Sequence, residues 1–135
     1  MVLLFLFVPI QAVSSQAEPS DATDKPPVDC AKAMTTLDIN HCAKLELDEA
    51  ERELNQAYQK LVKQLSQPDT EYENFTELRQ SLKEAQRAWI KFRELDCDTQ
   101  FLLYGSGTIR TVAYLGCMRE RAVQRTNELN QYIPY

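Results

Sequence analysis

The chain has 135 residues and a formal net charge of −5, with 20 acidic against 15 basic residues and a single histidine. That length fits one domain, and the acidic balance argues against nucleic acid or an anionic membrane as partner, because both need a basic surface. With only three glycines and no long strand-like alternation, the composition points to an all-α protein.

Residues 1–17, MVLLFLFVPIQAVSSQA, begin with a nearly unbroken apolar run and end in small and polar residues. This is the pattern of a signal peptide with a small-x-small cleavage site, too short for the roughly 20 apolar residues that span a bilayer. The chain is thus expected to be exported, periplasmic or extracellular, with no membrane insertion once the signal is removed. No charged residue lies in this stretch, so its loss leaves the net charge unchanged. Residues 18–29 are rich in Pro, Ser, Asp and Thr and read as a flexible linker. A helical domain is expected over 30–135.

Thr35 or Thr36 offers an N-cap for a first long helix running to about Gln67. Leu47, Ala50, Leu54, Ala57, Tyr58, Leu61 and Leu65 recur at steps of three and four on one face, and charged residues fill the other. Pro68-Asp69 ends it, and a second helix restarts at about residues 70–74 and runs to Leu103, with Phe75, Leu78, Leu82, Ala85, Trp89 and Phe92 expected to face the core. The short break makes the pair an antiparallel hairpin of roughly 40 Å at 1.5 Å per residue. Tyr104 to Thr108 reads as a loop, with Gly105 placed to close the second helix. A third, C-terminal helix is expected over Val112–Gln131, with Met118, Ala122, Leu129 and Ile133 inward.

Cys30, Cys42, Cys97 and Cys117 form an even set, which in an exported chain reads as two disulfides clipping the helices. Two pairings make physical sense. A hairpin turning at 69–70 sets Cys42 level with Cys97, giving Cys42–Cys97 and Cys30–Cys117; the alternative is the local set, Cys30–Cys42 and Cys97–Cys117, and spacing does not choose between them. With no C-x-x-C pair and His41 as the lone histidine, neither a metal site nor a cofactor is expected. No catalytic constellation emerges: Ser106 lacks a strand-turn-helix elbow and an evident base, and a disulfide-bonded Cys42 cannot serve as nucleophile beside His41. The chain therefore reads as a non-catalytic binding protein rather than an enzyme.

Glu51, Asn55, Gln86, Trp89 and Arg93 are expected to form a structural polar layer that fixes the register between the helices. The exposed binding candidate is the loop carrying Tyr104, Ser106, Thr108 and Arg110, flanked by Cys97 and Cys117. A stiff loop between crosslinks suits insertion into a protein cleft, since it loses little entropy on binding.

Three stretches resemble the lysozyme inhibitor LprI-type family of small exported bacterial proteins. Glu51 to Tyr58 is similar to its acid-x-x-Leu-Asn-x-x-Tyr segment, with Glu where Asp is usual. Gln86-Arg87-Ala88-Trp89-Ile90-Lys91-Phe92-Arg93 matches its Gln-Arg-x-Trp-x-x-aromatic-Arg centre, and Cys117, Arg125 and Leu129 fall at its spacing. Ala122 departs from the family's Thr or Tyr, and Tyr104-Gly105-Ser106-Gly107 from its Tyr-Gly-Gly-Ser-like loop. The resemblance implies a helical envelope domain, the local disulfides Cys30–Cys42 and Cys97–Cys117, and a protein partner, a basic lysozyme. The alternative function is a structural or chaperone-like helical interaction module of the envelope; the sequence leaves the oligomeric state open.

Overall fold

The computed structural model describes residues 27–132. The expected signal peptide, the linker up to Lys25 and Pro26, and Ile133 lie outside the described residues. A single 3-10 turn, Cys30–Lys32, precedes three helices: α1 (Thr36–Gln64), α2 (Phe75–Leu103) and α3 (Arg110–Gln131). Among the described residues there is no strand.

Local chemistry sets the helix ends. Thr35 caps α1, its Oγ1 accepting from the Asp38 amide at 3.1 Å, and Asp38 adds negative charge to the first turn. Lys44–Asp48 and Glu49–Arg52 pair along the exposed face. After Leu65 the chain turns through Pro68, and Asn74 caps α2 by accepting from the Glu77 amide at 2.9 Å. The connection is stitched down by two further contacts. Asp69 Oδ1 accepts from the Thr76 amide at 2.8 Å, and Arg79 donates to the carbonyls of Leu65 and Gln67 at 2.7 and 3.1 Å, filling acceptors that the end of α1 leaves open. The hydrogen bonds from Thr76 hold the Asp69 carboxyl below the ordinary aspartate range.

α3 is the element that closes the bundle. It packs intimately along both other helices, while α1 and α2 meet each other only weakly. It runs parallel to α1, with Glu46 beside Arg119 and Leu47 near Met118 at one end and Leu61 near Leu129 at the other. It runs antiparallel to α2, where Asp96 meets Arg121 and Gln86 meets Arg125. Ala50, Ala57 and Ala122 are buried, and their small side chains let α1 and α3 approach closely. The main core gathers Leu54, Leu61, Leu65, Phe75, Leu82 and Leu129 around them, and a smaller cluster joins Leu47, Cys97 and Met118.

The α1 face follows the sequence pattern, apart from half-buried Tyr58, and so do Met118, Ala122 and Leu129. The α2 face does not. Phe75 and Leu82 are buried and Trp89 is half-buried, but Leu78 is 46% and Phe92 53% exposed, and Ala85 is exposed as well. The buried line is instead Phe75, Leu82, Gln86, Arg93 and Cys97. Two stripes with three-four spacing run side by side on α2, and the inner one holds Gln86 and Arg93, which take partners from the other helices although the Arg93 Nε is left buried without one. The hairpin is also shifted. Glu51 stands opposite Arg93 and Leu47 opposite Cys97, which puts its midpoint near Tyr72 rather than at 69–70.

Candidate protein-binding site

Both disulfides lie at the end of the bundle where α1 and α3 begin and α2 finishes. Cys30 pairs with Cys42, tying the leading segment to the second turn of α1, with Cα atoms 5.7 Å apart. Cys97 pairs with Cys117 at 5.6 Å, joining α2 to α3 beneath the loop that connects them. The local pairing is therefore the one present, and no cysteine is free.

Residues 104–109 form that loop. Gly105, just past the cap residue Tyr104, adopts φ +55°, the left-handed conformation that only glycine takes without strain. Its amide donates to the Leu102 carbonyl at 3.0 Å, the Gly107 amide to the Tyr104 carbonyl at 3.0 Å, and the Arg110 amide to the Gly107 carbonyl at 3.3 Å. A Cβ on Gly107 would come within 3.1 Å of the Tyr104 carbonyl, so the chain passes too close there for a side chain to fit easily. Arg110, one of the candidate contact residues, folds back over the loop: its guanidinium donates to the Gly105 carbonyl at 3.3 Å and lies 4.8 Å over the Phe101 ring. Phe101 in turn meets Tyr114 edge-to-face at 6.3 Å. Arg110 thus props the loop while staying exposed, as Tyr104, Ser106 and Thr108 are.

The surroundings are apolar. Leu102 and Leu103 are exposed beside the loop and Ile109 within it, and Met34 and Leu37 are exposed where α1 begins. A groove of about 310 Å³ runs alongside, lined by Cys30, Ile39, Cys42, Glu46, Val112 and Arg119. These exposed apolar side chains stand at the same end of the bundle as the loop and both disulfides.

The polar layer lies in the middle of the bundle. Arg93 is 7% exposed and donates to Glu51 Oε1 at 2.6 Å. Arg125, 6% exposed, donates to Gln86 Oε1 at 3.0 Å and to Glu128 at 2.8 Å. Both guanidinium groups face the Trp89 ring, at 4.8 and 5.9 Å from its centroid. Glu51, Gln86, Trp89 and Arg93 are thus brought together, but Asn55 is not. It sits one residue, about 100° of helix, beyond the buried Leu54 and is exposed. Arg125 completes the layer from α3, and Arg121 adds a second bridge to Asp96 at 2.8 Å; neither is marked by hydrophobic periodicity.

Asp96 lies close to Cys97 and Cys117, but both sulfurs are committed to a disulfide and the carboxylate to Arg121. The trio is a structural crosslink rather than a metal-ligand set. His41 is exposed on α1, beside the bridged Cys42.

These features coincide with a known sequence family. The family model described as "Lysozyme inhibitor LprI" matches residues 29–129, a span that takes in both disulfides, the Trp89 layer and the loop. The chain belongs to the LprI family. A relative from Rhizobium meliloti (strain 1021), described as an uncharacterized protein, is 33% identical over 114 residues, covering 79% of this chain and 80% of its own. No solved structure matches the chain. In this LprI-family member the matched span opens one residue before Cys30 and closes on buried Leu129, so its limits are those of the crosslinked bundle.

Proposed function

We propose that the protein is an exported lysozyme inhibitor that binds its target with the disulfide-braced end of the bundle, the 104–109 loop entering the substrate cleft. The observation that carries this reading is the family match, since LprI-family proteins are described as lysozyme inhibitors. The geometry supplies the means. A loop held by three backbone hydrogen bonds, Arg110 and the Cys97–Cys117 bridge is already ordered, so little entropy is lost on binding. A lysozyme cleft carries two catalytic carboxylates. Residues 104–109 contain no acidic side chain and offer the hydroxyls of Tyr104, Ser106 and Thr108, which donate to carboxylates without charge repulsion. The net charge of −5 then attracts a basic enzyme over longer range. Export is supported by the apolar leader at 1–17 and by the two disulfides, which persist in oxidising compartments.

The test is a titration of a chicken-type lysozyme with the oxidised protein, following cell-wall lysis at low and physiological salt. Inhibition saturating near one equivalent and weakening with salt is expected. Undiminished lysis at stoichiometric excess would overturn the reading for that class of enzyme.

A further inference from the structure

The outer stripe of α2 is an unused seam. Leu78, Ala85, Phe92 and Thr99 alternate with Ser81, Ala88, Leu95 and Leu102 at steps of three and four, the repeat of a helix that pairs along its length. All eight are exposed: Leu78 46%, Phe92 53%, Leu95 55% and Leu102 73%, with the small residues between them. The bundle fully buries no residue of this line, although Arg121 lies 5.7 Å from the Phe92 ring centroid, and the line spans about 36 Å at 1.5 Å per residue.

The seam is complementary to itself when reversed. A two-fold axis passing level with Ile90 sets Leu78 against Leu102 of a second copy, Ser81 against Thr99, Ala85 against Leu95, and Ala88 against Phe92. In the two central layers a large side chain meets an alanine, so knobs find room without overpacking. The end layers are also matched by a second feature. Beside Leu78, at the connection between α1 and α2, an apolar groove of about 850 Å³ opens between Leu61, Leu65, Phe75, Leu82 and the rings of Tyr72 and Tyr132. The reversed pairing delivers Leu102 of the second copy, and with it Leu103, 74% exposed, to this groove. One end of α2 carries protruding leucines and the other a hollow, which is what an isologous two-fold contact requires at both ends at once.

We infer that the protein self-associates as an antiparallel α2-to-α2 dimer, with Leu102 and Leu103 of each copy seated in the groove beside Leu78 of the other. A strip of this length with two filled grooves covers roughly 600 Å² per copy, the low end of specific interfaces, and gives a reversible dimer. Glu84 falls near Asp98 of the second copy, and Lys91 near its own counterpart. Salt therefore strengthens this association, the opposite of its expected effect on an acidic inhibitor meeting a basic enzyme.

The test is sedimentation equilibrium of the oxidised protein over a wide concentration range, at low and high salt, on the natural sequence and three variants. A monomer–dimer equilibrium that tightens with salt is expected. Ala88→Glu, which puts charge in a central layer, and Leu102→Ser, which removes one of the two leucines seated in the groove and its contact with Leu78, should each weaken it at least tenfold with helical content unchanged. Arg87→Ala, exposed and off the seam, should leave it unaltered. A protein that stays monomeric throughout would overturn the inference. So would a dimer that survives Ala88→Glu or Leu102→Ser with the helices intact.

Discussion

Replacing Arg93 by alanine tests how much the polar layer contributes to holding α1 to α2, whose backbones approach each other less closely than either approaches α3. The substitution removes a charge-assisted hydrogen bond of 2.6 Å to Glu51, a contribution of about 1.5–3 kcal/mol. It also removes a guanidinium stacked on Trp89, about 0.5–2 kcal/mol. Against this, the Glu51 side chain is 32% exposed and regains water once its partner is gone, so the penalty for a stranded charge is discounted. The net loss should be about 3 kcal/mol. Urea unfolding followed by far-ultraviolet circular dichroism reads it as a midpoint lowered by about 1.5–2 M, for a slope of about 1.5–2 kcal/mol/M. Arg93→Lys should lose about half as much, since an ammonium keeps the charge but cannot lie flat on the indole. A double-mutant cycle with Glu51→Ala should give a coupling of about 1–2 kcal/mol. A midpoint shift under 0.5 M for Arg93→Ala, or a coupling near zero, would refute the reasoning.

Three further outcomes follow from the braced end and the α1–α2 connection. Replacing Cys97 and Cys117 together by serine opens a loop of 20 residues and should cost about 3 kcal/mol, seen as a lowered thermal midpoint. Gly105→Ala meets no atom within 4 Å, so its cost is that of the positive φ alone, about 1 kcal/mol in a denaturant titration. The Asp69 carboxyl should titrate below the usual aspartate value of about 3.9 in a carbon-detected NMR titration, and return toward it in Thr76→Pro, which deletes the donated amide. Because its folded pKa is depressed, the stability it contributes is fully present above the unfolded value. That contribution fades as pH falls through the folded one, so it matters only in acid.

The three helices and the α1 face are legible because each rests on local signals: Thr35 as the cap of α1, Pro68 and Gly105 as stops, and a single apolar stripe opposite a charged one. α2 resisted the same logic. Its more apolar stripe, through Leu78, Ala85 and Phe92, faces outward, and the line through Gln86 and Arg93 faces in. Their partners lie 39 and 42 positions away, on Arg125 and Glu51, and no periodicity within α2 reports them. The disulfides were equally open to spacing. All four cysteines stand at one end of the bundle, so helix order alone does not choose the Cys30–Cys42 and Cys97–Cys117 bridges that the structure contains. The contacts that Arg110 makes with the loop could not be read from spacing either, since they depend on Phe101, which packs from the preceding helix.

The most direct test of the proposed function is the calorimetric affinity of the oxidised protein for a chicken-type lysozyme, compared with that of a Tyr104→Ala, Ile109→Ala double variant. Removing two exposed apolar side chains from the inserted loop should weaken binding by at least about 2 kcal/mol, roughly thirtyfold, while leaving the thermal midpoint unchanged. Equal affinities for the two proteins, or no heat of binding from either, would contradict the account.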